Sequence, residues 1–177
     1  MGGAVSLCFA LDRPERVSRL VLIGAPVYLG NVPKMLWSMR RPIVGRILEP
    51  LLGRWTVRVV VPTAFHDRRF ITEELIDEYS IALATREGRR AAAETLRRCL
   101  SPRLPEMIRR YAQLRPPVLF IRGEHDGVVD EASAEKFCRA VPKGTLLRIP
   151  ASGHVPQEET PEAVIPAMAE FLSQKQQ

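Results

Sequence analysis

Three short apolar runs, each closed by glycine or proline, punctuate a chain that is otherwise helical in its periodicity. Leu20-Val-Leu-Ile23 runs into Gly24-Ala-Pro26. Pro117-Val-Leu-Phe-Ile-Arg122 runs into Gly123, and Thr145-Leu-Leu-Arg-Ile149 into Pro150. Runs of this length, apolar at consecutive positions, are those of strands covered on both faces, as in parallel sheets. Between the second and third runs, Ala132, Ala134, Phe137, Cys138 and Val141 recur at helical spacing over 131–141. Strand, helix, strand predicts a parallel pair whose connecting loops gather at one sheet edge. Strands are expected near 20–23, 118–121 and 145–149. Residues 2–11 predict a further helix, ended where Pro14 forbids continuation. Its apolar residues Val5, Leu7, Cys8, Phe9 and Leu11 cover most of the circumference, so it is expected to be largely buried.

From Val27 to about Arg110 the pattern changes. The only stretch with strand-like alternation is Trp55-Thr-Val-Arg-Val-Val-Val61. Helices are predicted over about 33–54, broken at Pro42 and Pro50, and over 72–85, 87–100 and 105–113. Thr72-Glu-Glu-Leu reads as a start signal, a capping hydroxyl followed by acids in the first turn. Met35, Leu36, Trp37, Met39, Ile43, Val44 and Ile47 form an apolar face broken by Arg40, Arg41 and Arg46. Three readings stand side by side: a helix packed on its neighbours, a lining for an apolar pocket in which Met35, Trp37 and Met39 touch substrate, or an interfacial helix. The prolines interrupt a continuous face and weigh against lipid.

Composition narrows the classes. At 177 residues, 46% hydrophobic and 26% charged, the chain is ordinary for a globular protein with a sizeable core. Its apolar runs are far shorter than a bilayer span, so no transmembrane helix and no stable membrane insertion are expected. No secretory leader is read at the start. The net charge of +6 comes mostly from arginine, since Lys34, Lys136, Lys143 and Lys175 are the only lysines among 26 basic residues. Those arginines are spread through every segment, often beside glutamates and without a recognition motif, which argues against nucleic acid. Cys8, Cys99 and Cys138 are odd in number and scattered within apolar helical patterns. They read as buried free thiols in a reducing, cytoplasmic setting rather than as disulfides or metal ligands.

The chemistry-bearing residues sit just past the last two strands. Gly123-Glu-His-Asp126 ends the second in a carboxylate, and Ser152-Gly-His154 follows the third with an imidazole. A carboxylate and a histidine brought together at one sheet edge are suited to be the orienting acid and general base of a nucleophile triad. Glu124 and Asp130 compete with Asp126 for the acid role; Asp130 better serves as the N-cap of the following helix. His66 lies in a polar loop with no second ligand at metal spacing and reads as solvated or structural. His125 is placed to form one wall of the acid loop.

The opening Met1-Gly-Gly-Ala-Val-Ser-Leu7 resembles the second half of a G-x-S-x-G nucleophile elbow, with Met1 following the serine and Gly2 closing the motif. With Asp12-Arg-Pro-Glu-Arg-Val17, Leu20-Val-Leu-Ile-Gly24, and Ser152-Gly-His154 followed by Glu158 and Pro161-Glu162, it makes the chain similar to the C-terminal part of an α/β-hydrolase of the Ser-Met-Gly-Gly branch. The 28 positions between Asp126 and His154 suit that family's last two loops. The resemblance implies a partial α/β-hydrolase fold, its core at 1–26 and 111–177 and an inserted helical cap at 27–110. It implies a Ser-Asp-His triad using Asp126 and His154, with the serine just before Met1 and the Met1 backbone N–H as one oxyanion donor. The expected activity is hydrolysis of an ester-like or other acyl bond in a small, apolar substrate, with no cofactor or metal. Relatives with an aspartate nucleophile keep dehalogenase and epoxide chemistry open. Ser6, more than a turn into the helix, is read as structural. A non-catalytic remnant or fragment, inactive alone, is the alternative from another class. In that case strand 20–23 presents an open edge, inviting self-association or a missing N-terminal half.

Overall fold

The computed structural model describes residues 2–28, 49–99 and 104–174. In chain order the main elements are α1 (Gly2–Asp12), β1 (Leu20–Ile23), α2 (Arg54–Val60), α3 (Glu73–Ser80), α4 (Arg86–Cys99) and α5 (Leu104–Arg109). They are followed by β2 (Val118–Gly123), α6 (Glu131–Ala140), β3 (Gly144–Ile149), α7 (Pro156–Glu159) and α8 (Pro161–Ser173). Two compact units emerge. One holds residues 1–30, 64–67 and 103–177; the other holds 31–63 and 68–102.

The first unit is built on a parallel sheet of order β1-β2-β3. Leu22 pairs with Phe120, and Phe120 with Leu146, so one register row runs across all three strands. Side chains alternate between faces as the pleat requires. Leu20, Leu22, Val118 and Phe120 pack with Leu7, Ala10, Leu11, Met107, Tyr111, Ala134 and Phe137 from α1, α5, α6 and the turn after α5. Leu119, Ile121 and Ile149 face the other way, against Val164, Met168 and Phe171 of α8. Tyr111 lies edge-on to Phe137 and donates its hydroxyl to the Val27 carbonyl at 2.5 Å. That bond satisfies the polar end of a ring whose burial also raises its pKa.

The α/β expectation stands, with three local corrections. Helix α1 buries only the stripe Leu7, Ala10 and Leu11, while Val5, Cys8 and Phe9 are exposed. The reason is geometric: the described sheet offers α1 one surface, and a helix meets one surface along i, i+3 and i+4. Strand β1 is fully buried on the face toward α1 but only half-buried at Val21 and Ile23. The thiols differ as well. Cys8 is exposed and Cys138 half-buried, where burial pushes its thiol up to about 11 against the opposing pull of Arg148. The Cys99 side chain lies outside the described ones.

The second unit corrects one element. Residues 55–61, which alternate like a strand, form α2 and a 3-10 turn at Val61–Thr63. Val57 and Val61, four apart, are buried, while Trp55, Val59 and Val60 face outward. Helical spacing, rather than β-branched propensity, decided the segment, because i and i+4 could be buried together. Thr72 caps α3 by accepting the Leu75 N–H at 3.2 Å. Arg54 and Arg58 of α2 pair with Glu73 of α3, and Arg54 also with Asp77. The helix predicted over 33–54 lies mostly outside the described residues; its end contributes a 3-10 turn at Glu49–Leu51.

Candidate active site

Two loops at the carboxyl ends of β2 and β3 build the site. After Gly123 the chain turns at once, with the Asp126 N–H donating to the Gly123 carbonyl at 3.1 Å. The Asp126 carboxylate then folds back onto its own loop: Oδ1 accepts the N–H of Val128 at 2.8 Å and of Val129 at 2.9 Å. Two further bonds tie this loop to the one after β3, from Glu124 N–H to the Ile149 carbonyl and from His125 N–H to the Ser152 carbonyl, both 2.9 Å. Ala151, in the second loop, adopts the left-handed conformation at φ 51°. This turns the chain so that Ser152, fully buried, bonds the Thr160 hydroxyl at 2.6 Å, and His154 comes back toward β2.

His154 Nδ1 lies 3.0 Å from Asp126 Oδ2 and 3.2 Å from Oδ1. The Asp126 side chain is 0% exposed and that of His154 25%. An ionised carboxylate only accepts, so Nδ1 carries a proton, and in the neutral ring the lone pair is then on Nε2. Burial pushes the Asp126 carboxyl up. The bond from His154, the Val129 N–H, the attraction of His154 and the Val128 N–H together outweigh it and hold the group below the usual carboxylate range. Gly24, at the end of β1 with φ +52°, makes this approach feasible. A Cβ there would sit 2.6 Å from the His154 carbonyl and 3.0 Å from Nδ1.

Arg122, which sequence reasoning passed over, lies under the acid loop and is 5% exposed. Its Nε donates to the Val129 carbonyl at 2.9 Å, Nη2 to that of Asp126 at 3.1 Å and Nη1 to that of Glu124 at 3.2 Å. A charged residue inside an otherwise apolar strand was the available signal, since such a group is buried only where its donors are used. Glu159 was missed in favour of Glu158. Pro156 and Glu159 are both buried and three apart on α7, so helical spacing from the proline after the histidine points to the right glutamate.

The remaining predicted residues separate clearly. Asp130 caps α6, accepting the Ser133 N–H at 2.8 Å. Glu124 is exposed, Ser6 is half-buried within α1, and His66 stacks on His125 with ring centroids 3.8 Å apart and planes at 11°. Met1, Met35, Trp37 and Met39 lie outside the described residues. Among the described residues no group of three or more His, Cys, Asp or Glu side chains could hold a metal ion, and no helix is long and apolar enough to cross a membrane.

The chain is 27% identical over 173 residues to the uncharacterized hydrolase YugF of Bacillus subtilis (strain 168), covering 97% of this chain and 62% of that protein. It is 25% identical to the pimeloyl-[acyl-carrier protein] methyl ester esterase of Nitrosomonas europaea, covering 93% of this chain and 66% of that protein. The solved structure of a thermophilic esterase from Thermogutta terrifontis superposes with a TM-score of 0.75 at 25% identity, covering 97% of this chain and 61% of that one. The chain thus spans about three fifths to two thirds of the length of these relatives. The alpha/beta hydrolase family profile matches residues 1–167, and with a parallel sheet that delivers Asp126 and His154 to one edge, this chain belongs to the alpha/beta hydrolase family.

Proposed function

We propose that this chain carries the acid and base of a serine-type esterase and is completed by a nucleophile from the position before Met1. The observation that supports this most directly is the 3.0 Å approach of His154 Nδ1 to a fully buried Asp126 carboxylate. Asp126 orients the ring, and His154 Nε2 accepts the proton of the serine hydroxyl as the oxygen attacks the acyl carbon. The same proton then passes to the departing alcohol. Water repeats the sequence on the acyl-enzyme and releases the acid. The Met1 backbone N–H is one oxyanion donor, and the second comes from a preceding loop. Two of the three relatives above are named as esterases, which favours an ester over other acyl bonds.

On this reading the 177-residue chain is inactive alone. Among the described residues β1 pairs only with β2, so its other edge is where a strand from an N-terminal portion would add. The test is complementation. The chain alone should neither hydrolyse p-nitrophenyl butyrate nor take up a fluorophosphonate at any serine, Ser6 included. Co-expressed with the N-terminal segment of one of these relatives as a separate chain, it should gain ester hydrolysis. H154Q should then lower that activity by about 10⁴-fold or more. Turnover by the chain alone that survives H154Q would overturn the proposal.

A further inference from the structure

Glu159 ends α7 with 4% exposure, and its two carboxylate oxygens serve two separate stretches of chain. Oε1 accepts the N–H of His66 at 2.8 Å and of Asp67 at 2.9 Å. Oε2 accepts the N–H of Gly153 at 2.5 Å. A fourth bond joins the same two stretches directly, from His154 N–H to the Ala64 carbonyl at 2.7 Å. Residues 64–67 belong to the sheet-bearing unit, although the chain on either side of them belongs to the other. Through the stacking of His66 on His125, this segment also reaches the acid loop.

The chemistry demands a carboxylate. Two acceptor ends are needed, and of the side chains of this size only a carboxylate offers acceptors on both oxygens. Desolvating that charge is costly and is offset here by three backbone donors. Gly153 meets the same demand. A Cβ there would lie 2.4 Å from the Ala64 carbonyl oxygen and 2.7 Å from the His66 nitrogen, so only glycine allows the two stretches this close.

We propose that Glu159 is the positioning residue of this site: it clasps residues 64–67 to the histidine loop and so sets His154 Nδ1 on Asp126. It touches neither Asp126 nor any reacting atom. The inference rests on the reading of His154 as the base, and its test separates the two. In the wild-type 177-residue chain, NMR should show a downfield His154 Nδ1–H resonance and slow amide exchange at His66, Asp67, Gly153 and His154. E159Q keeps the side chain's shape but presents one carbonyl and one amino group, so one of the two stretches loses its acceptor. At least one of those amides should then exchange about tenfold faster or more. The Nδ1–H resonance should be lost or broadened, with the methyl signals of Leu119 and Val164 unchanged. E158Q, the neighbouring control, should change none of these.

A missing Nδ1–H resonance in the wild type would overturn the base assignment. A resonance that persists in E159Q, with the four amides still protected, would overturn the role of Glu159 alone. Should E159Q not fold, wild-type exchange decides: fast exchange at His66, Asp67 and Gly153 refutes the clasp, and selective protection there supports it.

Discussion

Replacing Arg122 with methionine isolates what a buried cation does beneath the acid loop. The guanidinium donates to three carbonyls, of which those of Val129 and Asp126 are buried and that of Glu124 lies at the exposed side of the loop. Methionine fills much of the same volume but donates nothing. Each buried carbonyl left without a partner costs about 1–3 kcal/mol, while the Glu124 carbonyl turns to water at little cost. Two such losses come to about 2–6 kcal/mol. Relief from no longer desolvating the guanidinium offsets part of this, leaving a net destabilisation of about 3 kcal/mol. With a urea m-value of about 2 kcal/mol per molar, the midpoint should fall by about 1.5 M. R122K keeps the charge but not the planar fork, and should fall between the wild type and R122M. Urea unfolding followed by circular dichroism reads both. A loss under about 0.5 kcal/mol for R122M, or R122K no more stable than R122M, would show that the three carbonyl bonds do not hold this loop.

The other expectations concern the two loops more directly. Because the folded Asp126 carboxyl sits below its unfolded value of about 3.9, its contribution is fully present above that value and fades as pH falls through the folded pKa. The stability gap between wild type and D126N should therefore close as pH falls below about 4; a gap unchanged to about pH 2 would contradict it. D126N should also shift His154 toward the tautomer protonated at Nε2, visible in the ring nitrogen shifts, because an Asn amide placed there donates; an unchanged tautomer would count against the pairing. A151G removes a Cβ from a left-handed residue and should raise stability by up to about 1 kcal/mol in the same urea assay, whereas a loss would mean that the turn is not strained by alanine.

Local pattern carried the architecture a long way. The three apolar runs became β1, β2 and β3 because consecutive apolar residues between glycine and proline breaks have few other ways to bury both faces. The capping roles of Thr72 and Asp130 were legible too, since a cap is a contact over three residues. Asp126 and His154 could be chosen because each follows a strand end, and strand ends of a parallel sheet gather at one edge.

What sequence could not determine depended on partners far along the chain. Whether 55–61 made a strand or a helix turned on which neighbours could cover Val57 and Val61, and propensity alone favoured the wrong answer. How much of α1 was buried depended on the surface opposite it. Sequence could single out Glu159 by its spacing from Pro156 and Arg122 by its charge within an apolar strand, but the backbone groups that each would hold were set only by folding. Residues 64–67 and 153 are distant in sequence, yet Glu159 joins them through N–H groups that every residue except proline possesses. Backbone donors leave no trace in side-chain identity, so the sequence by itself determined the three strands and the loops that carry Asp126 and His154. Only the tertiary structure decided which buried charges tie those loops to their neighbours, because their partners are backbone groups far along the chain.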